Sequence, residues 1–270
     1  MTKKPLILLT NDDGINSPGL HAVAAAVADL GDLLIVAPSS QRTGAGHSYP
    51  PVHDKTIYPT DIPLGGGRHP AYTADVSPAQ AVALAVLHLA PRPINLCISG
   101  INYGENLGAS ITTSGTVGAA IEAAYFDIPA LAVSAQTPKE YHIHYSSEFD
   151  FSVTTHFVRL FAQNVLGRGL PPGVKLLKID VPDSATPQTP WQITTVSRQR
   201  YYHPVNRGTQ PDGQITIDYE HLIDWETLEP DSDIYAFAVK GHVPVAAIIP
   251  DLSARVATAE VTGFFNGYSQ

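Results

Sequence analysis

Nearly continuous apolar runs alternate with segments of helical spacing in the first half of the chain, and this alternation limits the possible folds most. Leu6–Thr10 and Leu33–Ala37 have the composition of strands buried on both faces. Between them, Pro18–Leu30 carries Leu, Val and Ala residues at helical spacing, and Pro18 suits a first helical turn. Strands that alternate with helices make right-handed crossovers. The pattern therefore predicts an α/β fold: a doubly wound, mostly parallel, Rossmann-like sheet in three layers.

The alternation continues to about residue 135, and a different pattern follows. Further elements of the first half are predicted as a helix over Pro78–Leu89 with Ser77 as its N-cap, a strand at Asn95–Ser99, a helix at Gly115–Ala124 and a strand at Ala130–Ser134. The second half is predicted to contain a long helix over Phe149–Leu166, strands at Val174–Val181 and Trp191–Val196, a hairpin or arm over Tyr201–Tyr219, a strand pair of Ile234–Val239 with Val243–Ile249, and a terminal helix over Asp251–Val261 capped by Asp251. We interpret residues 1–135 as the Rossmann-like core and residues 136–270 as a C-terminal part that completes it.

Composition excludes several classes of protein. With 44% hydrophobic residues in 270 the chain can build a core, and its net charge of -9 argues against a nucleic-acid polymer as the main partner. No apolar run approaches the roughly 20 residues of a membrane span, and the first residues lack the pattern of a signal peptide, so a cytoplasmic location is expected. Cys97 is the single cysteine, which excludes an internal disulfide and a cysteine-cluster zinc site.

The sharpest local signal is the run Asn11–Gly14, directly after the first strand. Asp12 and Asp13 are adjacent carboxylates, and burying both at a sheet edge is costly unless a cation neutralises them. Oxygen ligands favour a hard divalent ion such as Mg²⁺ or Mn²⁺. An ordinary surface turn is the alternative, because Asn, Asp and Gly are common turn formers.

Two more polar loops follow strands, and ligands bind at this end of doubly wound sheets. The loop Pro38–Ser48 offers hydroxyls that could complete a metal shell, and its Arg42 could meet either a phosphate or solvent. His47 in the same loop has no visible partner and is interpreted as a loop histidine rather than a catalytic one. In the third loop Asn102 offers a neutral oxygen. Thr113-Ser114-Gly115-Thr116 opens a helix, where amides and hydroxyls make either an anion site or a plain cap.

Motifs of other enzyme classes are missing from the sequence. No GxGxxG follows the first strand and no P-loop lysine motif occurs, which removes the best evidence for nicotinamide or ATP-hydrolase chemistry. Ser99-Gly100 lacks the glycine two residues earlier that a nucleophile elbow needs. A hydrolase of the haloacid-dehalogenase type expects carboxylates two positions apart, whereas Asp12 and Asp13 are neighbours.

Taken together and in order, these segments resemble the SurE family of survival-protein-E 5′/3′-nucleotidases. The resemblance covers most of residues 6–134. The matching stretches are Leu-Leu-Thr-Asn-Asp-Asp-Gly at 8–14, Ser-Pro-Gly at 17–19, Val-Ala-Pro at 36–38, Arg-Thr-Gly-Ala at 42–45, Ser-Gly-Ile-Asn at 99–102, Gly-Glu-Asn-Leu-Gly at 104–108, Ser-Gly-Thr-Val-Gly-Ala-Ala at 114–120 and Pro-Ala-Leu-Ala-Val-Ser at 129–134. The resemblance is looser beyond, where Ile179–Asp183 is similar to an Asn-Val-Pro-Asp stretch of the family.

The resemblance implies one divalent ion per subunit, Mg²⁺ or Mn²⁺. Its ligands would be Asp12, Asp13, Thr43 and Asn102, with Thr43 standing where the family usually has serine. Near residue 77 the family's Gly-Thr-Pro-Ala-Asp-Cys is only partly kept, since Gln80 stands where the family has the acidic residue, so the resemblance does not carry the family's contacts to the base over to this chain. The resemblance also implies a C-terminal part that works as an oligomerisation arm, in a homodimer or homotetramer with exchanged C-terminal segments.

Residues and resemblance together predict a phosphatase that converts nucleoside monophosphates to nucleoside and phosphate by a metal-activated water. Asp12 and Asp13 are the predicted catalytic residues. The predicted phosphate ligands are Asn106, Thr113, Ser114, Gly115 and Thr116. The alternative from another class is a nucleotide-binding regulatory or structural oligomer that has kept the fold without turnover.

Overall fold

The computed structural model describes residues 4–51, 56–146, 148–210, 212–253 and 256–266. Its strands are β1 (Leu6–Thr10), β2 (Asp32–Pro38), β3 (Tyr58–Leu64), β4 (Gly67–Ala74), β5 (Leu96–Tyr103), β6 (Ala130–Ala135), β7 (Leu176–Val181), β8 (Trp191–Thr194), β9 (Tyr202–Thr209), β10 (Ile215–His221) and β11 (Val243–Ile248). Its α-helices are α1 (Pro18–Val27), α2 (Pro78–Leu84), α3 (Gly115–Tyr125), α4 (Ser152–Arg168), α5 (Asp233–Ala238) and α6 (Thr258–Asn266). Within these ranges, no helix is both long and apolar enough to cross a lipid bilayer.

One nine-stranded sheet runs in the order β3-β4-β2-β1-β5-β6-β7-β11-β8. The strands from β4 to β7 in this order are parallel, whereas β3 and β11 are antiparallel to their inner neighbours. The predicted doubly wound, mostly parallel α/β sheet is therefore confirmed. The predicted hairpin over Tyr201–Tyr219 is also present, because β9 and β10 form a separate antiparallel pair.

Apolar layers on the two faces of the sheet hold the helices in place. Ile7 and Leu9 face a cluster that contains residues of α1 and α4, such as Leu20 and Phe157. The alternate residues of β1 face a second cluster formed with α2 and α3. Because successive side chains of a strand point to opposite faces, a fully apolar β1 requires helices on both sides.

The order of the strands reverses between β1 and β5. The chain runs from β1 to β2 and β4 on one side, and from β5 to β6 and β7 on the other. Ligands of doubly wound sheets bind at such a switch point, outside the carboxyl ends of the strands. The carboxyl end of β1 leads into Asp12, and the carboxyl end of β5 carries Asn102.

Two predictions for the C-terminal part were wrong. Residues 234–239 were predicted as a strand paired with 243–249, but residues 234–238 lie in helix α5 and Val239 is its C-cap, and β11 pairs with β7 and β8 instead. The helix forms because the Ser232 side chain caps it by accepting the Tyr235 amide, and because Ile234 and Phe237 recur at helical spacing on its buried side.

The terminal helix begins later than predicted. Asp251 does not cap it; its carboxylate accepts the Ser253 amide at 2.9 Å within a non-helical stretch, and α6 starts only at Thr258. Side-chain to backbone bonds of this kind compete with helix formation. Residues 254 and 255 of the predicted helix lie outside the described residues.

Candidate active site

The turn after β1 is built by Asn11 and Gly14 around the two aspartates. The Asn11 side chain accepts the Gly14 amide at 3.1 Å and donates to the Gly14 carbonyl at 3.0 Å. Gly14 has a φ of +96°, which L side chains rarely adopt. Asp12 and Asp13 are 4% and 3% exposed, so this turn lies inside the protein and the surface-turn alternative is wrong.

The two adjacent carboxyl groups carry too few hydrogen bonds to offset their burial. Asp12 Oδ1 accepts a hydrogen bond from the Thr116 hydroxyl at 2.5 Å, and Asp13 Oδ1 accepts one from the side-chain Nε2 of Gln41 at 3.1 Å. Asp13 Oδ2 is buried without a hydrogen-bond partner among the described residues. Burial raises the pKa of Asp12, and burial followed by repulsion from Asp12 raises the pKa of Asp13 well above its usual range.

The loop after β2 is tied to this turn by its backbone. The Arg42 amide donates to the Asp12 carbonyl at 2.6 Å, which brings Thr43 to the same cavity as Asp12. The Arg42 guanidinium pairs with Asp75, and it does not line that cavity. His47 also lies away from the cavity lining, in a 2.7 Å contact with Glu122.

The loop after β5 brings two asparagines to the cavity. Asn102 Nδ2 donates to the Gly104 carbonyl at 2.6 Å, so the Oδ1 of the same amide remains an acceptor. Asn106 is held by two hydrogen bonds. Its backbone N–H donates to Asp180 Oδ1 at 2.7 Å, and its side-chain Nδ2 donates to the Ser134 hydroxyl at 2.9 Å. Nδ2 has a second hydrogen for an anion.

The start of helix α3 packs directly against Asp12. Ser114 caps the helix by accepting the Val117 amide at 3.1 Å, and the Thr116 hydroxyl donates to Asp12. A Cβ placed on Gly115 would lie 2.7 Å from the Cβ of Asp12. Because the Thr116 hydroxyl is used by Asp12, the Ser114 hydroxyl by the cap and the Ser114 amide by the Ile111 carbonyl at 3.1 Å, this segment offers an anion few unused donors.

These loops enclose one cavity of about 360 Å³. Its lining includes six of the residues predicted from the sequence as site residues: Asp12, Thr43, Asn102, Asn106, Thr113 and Ser114. The other three, Asp13, Gly115 and Thr116, do not line it, and Gly115 and Thr116 pack against Asp12 behind the cavity wall.

The opposite wall comes from the β9–β10 hairpin, whose residues were not predicted as site residues. Tyr202 and Tyr219 of the hairpin line the cavity together with His142, which precedes α4. His142 Nδ1 lies 2.7 Å from the Tyr219 hydroxyl, and the two rings are stacked. Paired aromatic residues in the arm were visible in the sequence, but no periodicity or motif indicates that a hairpin folds back over a site 100 residues earlier.

Neutral oxygens must complete any metal shell at the two aspartates. Within the described ranges, no three His, Cys, Asp or Glu side chains gather into a metal-binding group. The side chains present nevertheless fit a hard cation, because a buried carboxylate oxygen of Asp13 lacks a partner among the described residues, and Thr43 and Asn102 supply neutral oxygens at the cavity that the neighbouring Asp12 lines.

Glu105 is a second buried carboxyl group at this cavity, and it predicts a pH effect on stability. The residue is 2% exposed, and burial raises its pKa from 4.5 to about 7. The folded protein therefore keeps a proton that the unfolded chain releases between pH 4.5 and 7, and stability falls as the pH rises through this window. The pKa difference corresponds to about 3 kcal/mol.

We expect the substitution Glu105→Gln to remove the loss of stability that Glu105 causes as the pH rises. The variant should be more stable than the parent by about 3 kcal/mol at pH 8 and by less than about 1 kcal/mol at pH 5, as measured by urea unfolding. Parallel stability curves for the two proteins across this range would contradict a raised pKa at Glu105.

Known proteins resemble this chain over nearly its whole length. The family model described as "Survival protein SurE" matches residues 7–203. The chain is 37% identical to 5′-nucleotidase SurE of Thermococcus kodakarensis over 94% of this chain and 96% of that protein, and 40% identical to 5′-nucleotidase SurE of Thermococcus gammatolerans over 93% and 92%. It superposes on the crystal structure of the SurE protein from Aquifex aeolicus with a TM-score of 0.77 and 27% identity, covering 97% of this chain and 100% of that one. The chain belongs to the SurE family.

Proposed function

We propose that this protein is a metal-dependent 5′-nucleotidase, which hydrolyses nucleoside 5′-monophosphates to nucleoside and phosphate. The proposal depends on one observation: two adjacent aspartates are buried at the switch point of the sheet, and Oδ2 of Asp13 has no hydrogen-bond partner among the described residues. Relatives that align with nearly the whole chain bear the name 5′-nucleotidase, which supports both the reaction and the position of the phosphate.

The charge of the cavity supports a bound cation. Asp12, Glu105 and Asp218 line it, whereas Arg200 is the one Lys or Arg among the described lining residues. Asp218 is paired with Lys139 and Arg207, but a phosphate dianion would still meet repulsion from Asp12. A divalent ion held by Asp12, Asp13, Thr43 and Asn102 would reverse this, and when bound it would supply charge neutralisation and a lowered pKa for a water molecule.

The chain's own residues would orient the reactants. The Thr116 hydroxyl holds Asp12 through its Oδ1, and the Asp12 carboxylate would accept a proton from the attacking water. As the water oxygen bonds to phosphorus, the bond from phosphorus to the nucleoside oxygen breaks and that oxygen takes up a proton. Asn106 Nδ2 and the Thr113–Thr116 segment at the start of α3 would hold the remaining phosphoryl oxygens.

A direct assay tests the proposal. Purified protein should release phosphate from AMP with Mn²⁺ present, and release should stop when EDTA is added. Hydrolysis that continues under chelation would contradict the metal mechanism. AMP binding without release under any divalent ion would instead favour a regulatory or structural nucleotide-binding protein.

Gly115→Ala tests the contact between α3 and Asp12. The added methyl group would lie 2.7 Å from the Cβ of Asp12 and 2.9 Å from its Oδ2, so the carboxylate must shift. We expect kcat for AMP to fall at least about tenfold, because misplacement by a fraction of an ångström weakens catalysis strongly. Gly167→Ala is the matched control, since Gly167 is also helical and a Cβ there meets nothing within 4 Å. Equal activities of the two variants would contradict this geometry.

The oligomer belongs to the same proposal. A homodimer or homotetramer with exchanged C-terminal segments is supported by apolar side chains that α6 exposes, Val261 at 44% and Phe265 at 66%. Light scattering on the full chain should give a mass of two or four subunits, and a monomer at micromolar concentration would contradict it.

A further inference from the structure

Three charged side chains form a fully buried cluster beside the β5 loop, outside the proposed reaction. Lys178 Nζ lies 2.5 Å from Asp180 Oδ2 and 3.0 Å from Asp233 Oδ2, and all three side chains are 0% exposed. Burial alone would lower the pKa of Lys178, but the two carboxylates more than offset this and raise it. Buried ion clusters are often no more stable than apolar packing of the same volume. Stability alone therefore does not account for this one.

The two aspartates use further lone pairs to hold one short loop. Asp180 Oδ1 accepts the amide of Asn106 at 2.7 Å, and Asp233 Oδ2 accepts the amide of Gly108 at 3.1 Å. Asp233 Oδ1 accepts the Ser197 amide at 2.9 Å, so it is fixed from its own side as well. Hydrogen bonds from amides to carboxylates are stronger than those to neutral acceptors.

The loop held in this way is bounded by two glycines, which restrict its backbone less than other residues would. It runs from Gly104 to Gly108, whose φ angles of +98° and +55° lie in the left-handed region. Between them Asn106 reaches the cavity, with its side chain bound to Ser134. The cluster therefore connects β7 and α5 of the C-terminal half to the residue that faces the phosphate.

We propose that Asp180, Lys178 and Asp233 act as positioning residues that hold the 104–108 loop so that Asn106 meets the phosphoryl oxygens. The proposal rests on the proposed nucleotidase function for its catalytic consequence, but not for the anchoring itself. Asp180 and Asp233 fix the loop amides. Lys178 neutralises the two carboxylates and sets their orientation.

The anchoring is tested by amide hydrogen exchange of the metal-free protein, followed by NMR. In the parent protein, the amides of Asn106 and Gly108 should exchange far more slowly than that of Gly44, which lies in an exposed loop. Asp180→Ala should speed the exchange of Asn106 at least tenfold, while Asp180→Asn, which keeps an acceptor oxygen, should restore its protection. Rapid exchange at Asn106 in the parent would overturn the proposal without any variant being needed.

Kinetics test the consequence for the reaction. With AMP and Mn²⁺, Asp180→Ala should raise both KM and the inhibition constant of inorganic phosphate about tenfold, the effect of one lost phosphate contact, and Asp180→Asn should recover most of this. Val158→Ala, which opens a void beneath α4, is the matched control. If Val158→Ala only reduces the amount of folded enzyme, it should lower the apparent kcat and leave KM unchanged.

The possible failures are distinguishable. If the parent hydrolyses AMP but Asp180→Ala keeps the KM and phosphate inhibition of Val158→Ala, the positioning proposal is wrong and the nucleotidase proposal stands. If the parent hydrolyses no nucleotide, the nucleotidase proposal fails, and hydrogen exchange still decides whether the cluster anchors the loop.

Discussion

Replacing Asp12 with asparagine is expected to lower kcat for AMP hydrolysis by at least about a hundredfold. The substitution keeps the size of the side chain and an acceptor for the Thr116 hydroxyl, but it removes a negative charge from the proposed metal shell. If electrostatic stabilisation by the ion carries most of the barrier reduction, the loss should match that of a removed oxyanion donor, which is on the order of a hundredfold to a thousandfold. Steady-state kinetics at saturating Mn²⁺ measure it.

Asp127→Asn is the matched control for this change. Asp127 is an exposed aspartate with a φ of +57°, a conformation that asparagine adopts readily, and its partner is the surface residue Lys175. Its kcat should stay within about twofold of the parent, because exposed ion pairs contribute little. Similar kcat values for the Asp12 and Asp127 variants would remove Asp12 from the reaction.

The second large effect is on stability, and its sign depends on the metal. In EDTA at pH 8, Asp13→Asn should stabilise the protein by about 1–3 kcal/mol, because the unfolded chain ionises Asp13 freely whereas burial and repulsion by Asp12 oppose its charge in the folded protein. For a chain of this size, that corresponds to an increase in Tm of about 2–10 °C.

Saturating Mn²⁺ should reverse the order of the two proteins. A ligand that binds only the folded state stabilises it by mass action, and the parent keeps both carboxylates while the variant has lost one. The parent should then have the higher Tm in a scanning calorimeter. A lower Tm of the variant in EDTA would indicate that the aspartate pair is stable without a cation, and it would contradict the reason given for the site.

The sequence could predict the central sheet because its signals there are local. The apolar run Leu6–Thr10 is strand β1 from its first to its last residue, and the helix predicted at Gly115 begins there because Ser114 caps it. Burial on both faces demands apolar residues at every position, and a cap demands a hydroxyl at one position. Both requirements can be read without knowledge of the rest of the fold.

Elements that depend on distant contacts were harder to predict. The β3–β4 hairpin was not recognised, although Gly65 and Gly66 join its strands with positive φ angles, since Pro59 and Pro63 obscure an edge strand that is mostly exposed. Helix α5 was taken for a strand because its short apolar run fits either structure. Its cap at Ser232 was the signal that could have decided between them.

Some of the site residues could likewise be predicted from local signals, and others could not. The aspartate pair follows β1 directly, and the rule that ligands bind at the carboxyl ends of parallel strands brings Thr43 and Asn102 to it. Nothing in the sequence indicates that Thr116 donates to Asp12, or that Tyr219 and His142 close the other side of the cavity. These contacts depend on how the hairpin and the helices pack, which local patterns do not encode.

The most direct measurement is the binding of Mn²⁺ to the metal-free protein by isothermal titration calorimetry. The parent should bind one ion per chain, and the double variant Asp12→Asn/Asp13→Asn should bind none at millimolar metal. Binding that is equal in the two proteins, or absent from the parent, would contradict the assignment of the aspartate pair as the metal site.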